Sequence, residues 1–224
     1  MSISRRSFVV GLPLALGGCA SQGPLETAPK SAAGNPYYQT MYAAIETEPF
    51  PVPAIDLKKV EPRFYRQQVS YRTDEKPGTI VVDPNERFCY LVQENGKAMR
   101  YGVGVGKVEA FNFQGEARIA RKAEWPGWRP TPDMISREPE RYGPLKDGLP
   151  GGSGNPLGPR ALYLYRDNRD TYYRLHGTVE PWTIGTKVSS GCIRLLNQDI
   201  MDLYSRVPVG TKAVVLPSMA AATT

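Results

Sequence analysis

From Gly78 onward the apolar residues fall in short blocks separated by turn-forming residues. Thr79-Ile80-Val81-Val82 stops at Asp83-Pro84-Asn85, and Arg87-Phe88-Cys89-Tyr90-Leu91-Val92 follows. Blocks this short, rich in β-branched and aromatic residues, predict strands. Asn95-Gly96 then signals a two-residue hairpin, with 98–105 as the returning strand. Further strands are expected at 117–125, 161–166, 172–176 and 213–216. Helices are expected at 132 to about 140 and at 198–207, the second capped by Asn197. No internal repeat is visible. The sum is a mainly β domain, a sandwich or a partly closed barrel, with a few short helices.

The region before Gly78 has a different character. Arg5 and Arg6 precede an apolar run over 8–16, and small residues lead into Leu16-Gly17-Gly18-Cys19. A basic start, a short apolar stretch and a small-residue cleavage site make a secretory signal. The paired arginines before Phe8 resemble a twin-arginine export signal. Leu-Gly-Gly-Cys resembles a bacterial lipobox, in which Cys19 becomes a lipidated first residue; a plain signal with an incidental cysteine is the competing reading. One acyl-modified terminus would anchor the protein to a membrane without spanning it. Residues 20–36, rich in Ser, Ala, Gly and Pro, read as a flexible tether. Residues 37–77 mix aromatics with prolines and read as an extended segment packed along the domain, with one short helix near 38–46. The main folded domain is expected at 78–217, followed by a tail at 218–224.

Composition narrows the function classes. The net charge of +6 falls to +4 after cleavage at Cys19, because Arg5 and Arg6 are the only charges before it. That mild excess would attract anionic wall polymer or a membrane surface. No basic run interleaved with aromatics is present, so nucleic acid is not an expected partner. Cys19, Cys89 and Cys192 are an odd, scattered set and no disulfide framework. With one histidine and no C-x-x-C or H-E-x-x-H, neither a metal nor a cofactor is expected. The run Gly102-Val103-Gly104-Val105-Gly106-Lys107 fits neither the phosphate-loop nor the dinucleotide spacing. It reads as a strand that something approaches closely.

Two residues carry candidate chemistry. Cys89 sits in an apolar strand and reads as a buried inert thiol. Cys192 sits in Val188-Ser189-Ser190-Gly191-Cys192-Ile193-Arg194-Leu195, where small polar residues and a nearby cation suit a reactive thiol. A structural cysteine in a turn is the competing reading. Amides at Gly191 and Cys192 are candidate donors to a developing oxyanion. A thiol nucleophile needs a base within reach, and His176, at a strand end 16 residues earlier, is the one histidine in the chain.

His176-Gly177-Thr178, Pro181-Trp182-Thr183-Ile184-Gly185 and Ser189-Ser190-Gly191-Cys192-Ile193-Arg194-Leu195 together resemble the L,D-transpeptidase catalytic domain. Asn155-Pro156-Leu157-Gly158, Asp199, Leu203, Tyr204 and Gly210-Thr211 extend the likeness over roughly 78–217. The resemblance implies that Cys192 attacks the carbonyl of the third residue of a peptidoglycan stem peptide, with D-Ala leaving. His176 would move the proton, the Gly177 carbonyl would hold the imidazole, and amides at Gly191 and Cys192 would form the oxyanion hole. Arg194, Ser189 and Ser190 would shape the substrate side, with a structural ion pair as the alternative for Arg194. Many members carry a histidine where this chain has Ser190, which puts the usual contacts there in doubt. Transfer to a stem amine gives a 3–3 cross-link. Transfer to water gives an L,D-carboxypeptidase, and transfer to an envelope-protein amine gives anchoring to the wall. An inactive wall-binding lipoprotein and a general cysteine peptidase are the competing classes. The implied location is the periplasm or cell envelope.

Overall fold

A computed structural model describes residues 32–107, 113–189 and 191–218. The expected signal, Cys19, most of the tether, Ser190 and all but the first residue of the tail lie outside the described residues.

Eight strands close into a barrel. β2 (Ile80–Asp83), β3 (Phe88–Gln93) and β4 (Lys97–Gly106) form an antiparallel meander. β5 (Gly115–Glu124), β6 (Arg160–Arg166) and β7 (Arg169–His176) form a second. β10 (Lys212–Val215) joins the two, parallel to β2 and antiparallel to β5. The remaining gap is filled by β9 (Ile193–Leu195), parallel to β7 and antiparallel to β4. β4 is long enough to serve several partners. Its first half pairs with β1 (Gln67–Ser70) and its end with β8 (Lys187–Ser189). The structure thus settles the mainly β expectation as a closed barrel with few, short helices.

Turn chemistry explains the hairpins. Asn95 and Gly96 both have positive φ, 59° and 66°, the mirror-image turn that suits twisted strands. Asp167 and Asn168 make the same turn between β6 and β7, at 49° and 59°. Asp and Asn tolerate this region better than other side chains do.

β2 and β3 are buried on both faces, which is why they read as continuous apolar runs. Ile80, Val82 and Leu91 point into the barrel with Ile119, Leu164 and Leu175. Val81, Tyr90 and Val92 point outward, against Tyr38, Tyr42, Phe64 and Tyr65 of the segment before β1. That segment carries α1 (Pro36–Met41), whose cap Asn35 accepts from the Tyr37 amide. It is also tied down by polar contacts. Tyr42 donates to Asp199 and accepts from the Arg66 amide. Glu48 forks onto Arg160 at 2.6 and 2.9 Å.

Two helix expectations are corrected. The helix expected over 132–140 is two: α2 (Pro132–Arg137), capped by Thr131, and α3 (Pro139–Tyr142). Pro139 lacks an amide hydrogen and drives Glu138 out of helical geometry, to φ −134° and ψ 67°. The last helix, α4, runs Asn197–Arg206 with Leu196 at the cap position and no side-chain capping bond. Asn197 therefore is not the cap, and its Oδ1 accepts instead from the Thr178 amide at 2.8 Å.

The glycine run has a packing cause. A Cβ on Gly102 would lie 2.5 Å from both Phe64 Cβ and Phe64 O, and one on Gly104 would lie 3.0 Å from Thr183 O. Gly102→Ala is therefore expected to destabilise the protein by about 2 kcal/mol, the usual scale of overpacking where backbone must give way. Urea unfolding checks this; an unchanged midpoint would mean that Phe64 does not dock on β4 as described.

Candidate active site

The site is built on the parallel pair β7–β9. β7 and β9 are in register at Leu175↔Ile193 and His176↔Arg194. Strand alternation sends Leu175, Ile193 and Leu195 into the core, where all three are buried. His176, Arg194, Arg174 and Cys192 consequently share the opposite face. A strand spacing of about 4.8 Å and a two-residue rise of about 6.6 Å put the Cα atoms of Cys192 and His176 on the order of 8 Å apart.

His176 is buried, and its Nδ1 lies 2.6 Å from the carbonyl oxygen of Gly177. A carbonyl can only accept, so Nδ1 carries the hydrogen and Nε2 keeps its lone pair. Burial, then the charge of Arg194, depress the imidazole pKa to about 3, against a smaller opposing effect of the Gly177 hydrogen bond. The ring is thus a neutral base at ordinary pH.

Cys192 is partly exposed. Desolvation raises its pKa, while Arg174, through its charge and its backbone amide, and Arg194 pull it down by less. The resting Cys192 side chain is therefore a neutral thiol. Its sulfur lies 3.7 Å from the carbonyl oxygen of Tyr172, to which it donates. Tyr172 has φ 62°, and the β6–β7 register shifts around it. Holding a bulky residue in the left-handed region costs roughly 1–2 kcal/mol, and the bulge turns its carbonyl toward the thiol.

The segment before Cys192 is held by its own side chain. Ser189 is buried; its hydroxyl donates to Cys192 O at 2.6 Å and accepts from the Gly191 amide at 3.1 Å. Gly191 has φ 132°, which favours glycine. The hydroxyl of Ser189 thus staples a turn. It also occupies the Gly191 amide, so of the two expected oxyanion donors that one is engaged at rest. Ser190 lies outside the described residues.

Arg194 is paired with Glu180 at 2.7 Å. Arg174 forks onto Asp170 at 3.1 and 2.9 Å, its guanidinium 4.5 Å from the centre of the Tyr163 ring. Both arginines are thereby fixed as positive charges beside the thiol. Sequence reading named Arg194 and missed Arg174, although the Arg-Leu-His alternation already puts Arg174 on the face of His176. It missed Tyr172 too, because nothing local announces a bulge there. Helices α2 and α3 carry two further cations that act near the site. Arg137 acts electrostatically on Tyr173, the neighbour of Cys192, and Arg141 on Glu180. Cys89 stays apart in the core, its thiol pushed up by burial.

A neutral thiol, a neutral imidazole with a fixed hydrogen and two nearby cations make a unit suited to acyl transfer. The family model for the YkuD L,D-transpeptidase catalytic domain matches residues 77–215. "Probable L,D-transpeptidase ErfK/SrfK" of Escherichia coli is 32% identical over 151 residues, covering 67% of this chain and 47% of that protein. Its namesake in Salmonella typhimurium is 38% identical over 151 residues, with the same coverage. The chain thus spans about half the length of these curated relatives. A solved structure from Brucella melitensis, described as "Probable carnitine operon oxidoreductase caia", is 55% identical and covers 70% of this chain and 96% of that one, with a TM-score of 0.48. The family match contains both strands of the site and the whole stretch from His176 to Cys192, and the chain belongs to the L,D-transpeptidase catalytic-domain family.

Proposed function

We propose that this protein is an exported L,D-transpeptidase that joins peptidoglycan tetrapeptide stems through a thioacyl enzyme on Cys192. The observation that carries the reading is the β7–β9 register, which sets His176 and Cys192 on one face with Nδ1 of the imidazole held by Gly177.

The chemistry follows from the resting state. The thiol donates to Tyr172 O, so Cys192 Sγ turns toward the imidazole before reacting; catalytic hydrogen bonds commonly tighten only once substrate is bound. Nε2 of His176 takes the proton as sulfur adds to the carbonyl of the third stem residue. The developing oxyanion faces the Cys192 amide. Collapse breaks the C–N bond, and D-Ala departs with the proton from the imidazolium. A side-chain amine of a second stem then attacks the thioester and gives a proton to Nε2, the C–S bond breaks, and that proton passes to the departing sulfur to restore the thiol. Arg174 and Arg194 lower the cost of negative charge on sulfur and oxygen. The leader supports export to the periplasm, where such stems lie, and Cys19 would supply a lipid anchor there.

Mass spectrometry of the protein incubated with a disaccharide-tetrapeptide tests the reading. Loss of D-Ala together with a dimeric product is expected, and Cys192→Ala should abolish both. D-Ala loss without dimer would assign the acyl enzyme to water or to a protein amine. No Cys192-dependent product would return the protein to wall binding without catalysis.

The neutral resting pair has its own pH signature. Burial lowers the His176 pKa to about 3 and raises that of Cys192 above the ordinary thiol value. Acylation should therefore show no protonation step between pH 5 and 7, since the imidazole is already deprotonated there. Iodoacetamide alkylation of Cys192 should keep rising through the pH range of an ordinary thiol, with its midpoint above that of a free cysteine. An alkylation midpoint below 7 would instead mean a thiolate–imidazolium pair.

A further inference from the structure

Asn197 opens α4, yet its side chain makes no bond to its own helix. It reaches to the loop after β7, where Oδ1 accepts from the Thr178 amide at 2.8 Å. Two glycines make room for this oxygen. A Cβ placed on Gly158 would stand 2.5 Å from this oxygen, and one placed on Gly177 would strike it as well. Both glycines are buried, and together they let the Asn197 amide lie directly against backbone.

The Thr178 N–H and the Gly177 C=O are the two ends of one planar peptide unit. Asn197 accepts from the first, and His176 Nδ1 donates to the second at 2.6 Å. The chain runs Asn197 Oδ1, peptide 177–178, imidazole. Hydrogen bonds linked in this way polarise one another, strengthening each by about 10–30%. The linkage is also geometric, because a peptide unit held at its N–H cannot rotate its C=O away from the ring.

We infer that Asn197 is a positioning residue, which sets the tautomer of His176 through the 177–178 peptide and so keeps Nε2 as the basic nitrogen. The inference rests on the reading of His176 as the base of Cys192. A ring released from Gly177 can place its hydrogen on Nε2, where it donates and no longer takes a proton. A plain helix-start role for Asn197 would leave the ring indifferent to the side chain, because Leu196 holds the cap position and the bond crosses to another element.

The chain has a single histidine, so nitrogen-15 NMR reads this ring without assignment. In the resting full-length protein the expected state is hydrogen on Nδ1 with Nε2 bare. Asn197→Ala should give mixed or exchanged tautomers and lower kcat for D-Ala release about ten- to a hundred-fold, with KM within about two-fold. Asn197→Asp, which keeps an acceptor at the same place, should restore the wild-type tautomer. Should the alanine variant not fold, Asn197→Ser retains a small polar residue with an oxygen too short to reach Thr178. A folded Ala or Ser variant with a pure Nδ1–H ring overturns the inference, whatever its activity. The spectrum needs no substrate. A wild-type protein with the expected ring but no Cys192-dependent release would sink the transpeptidase reading and leave the positioning intact.

Discussion

β9 has three residues and two neighbours, and both must be satisfied for the barrel to close. On one side it lies parallel to β7, on the other antiparallel to the second half of β4. So short a strand cannot hold its register by its own hydrogen bonds. Ile193 and Leu195 hold it, because both belong to the interior. A slip of one residue would turn them to solvent and drive Cys192 and Arg194 into the core. The packing of two apolar side chains therefore fixes on which face the thiol appears, and β7 fixes the imidazole beside it in the same way through Leu175.

Desolvation of this pair sets its electrostatics. Desolvation disfavours both thiolate and imidazolium, so each group rests neutral. Arg174 and Arg194 shift the balance toward sulfur anion and away from ring cation. Two loose cations here would be drawn to any carboxylate, but Asp170 and Glu180 hold them in place. The site keeps a positive field with little freedom, which is what preorganised stabilisation of a developing oxyanion requires.

Much of this was legible in the sequence, for definite reasons. The meander strands announce themselves through length, β-branched content and turn residues such as Asn95-Gly96. Cys192 and His176 stand out because the chain offers one histidine and, beyond the leader, one cysteine in a small-residue setting. The misses are equally physical. β1, β8 and β9 have three or four residues, too few for alternation to show, and Ser-Ser-Gly-Cys reads as loop. Asn197 reads as a cap since local rules see only its helix, while its partner Thr178 lies 19 positions away. The Gly191 amide reads as open, because its engagement depends on a turn that brings the Ser189 hydroxyl back onto it.

The segment before β1 makes sense within the same frame. It covers the outer face of β2, β3 and β4 with Tyr38, Tyr42, Phe64 and Tyr65, a face that a bare barrel would leave apolar and open. Its polar contacts reach α4, where Tyr42 and Arg66 meet Asp199 and Asp202. Asp199 is fully buried, and desolvation raises its pKa to about 7 despite Arg66. A carboxyl poised in this way adds no great stability, and burying it is warranted only by what it locates. It locates α4, and α4 begins with the asparagine that holds the loop after His176. The covering segment and His176 are thus joined through one helix.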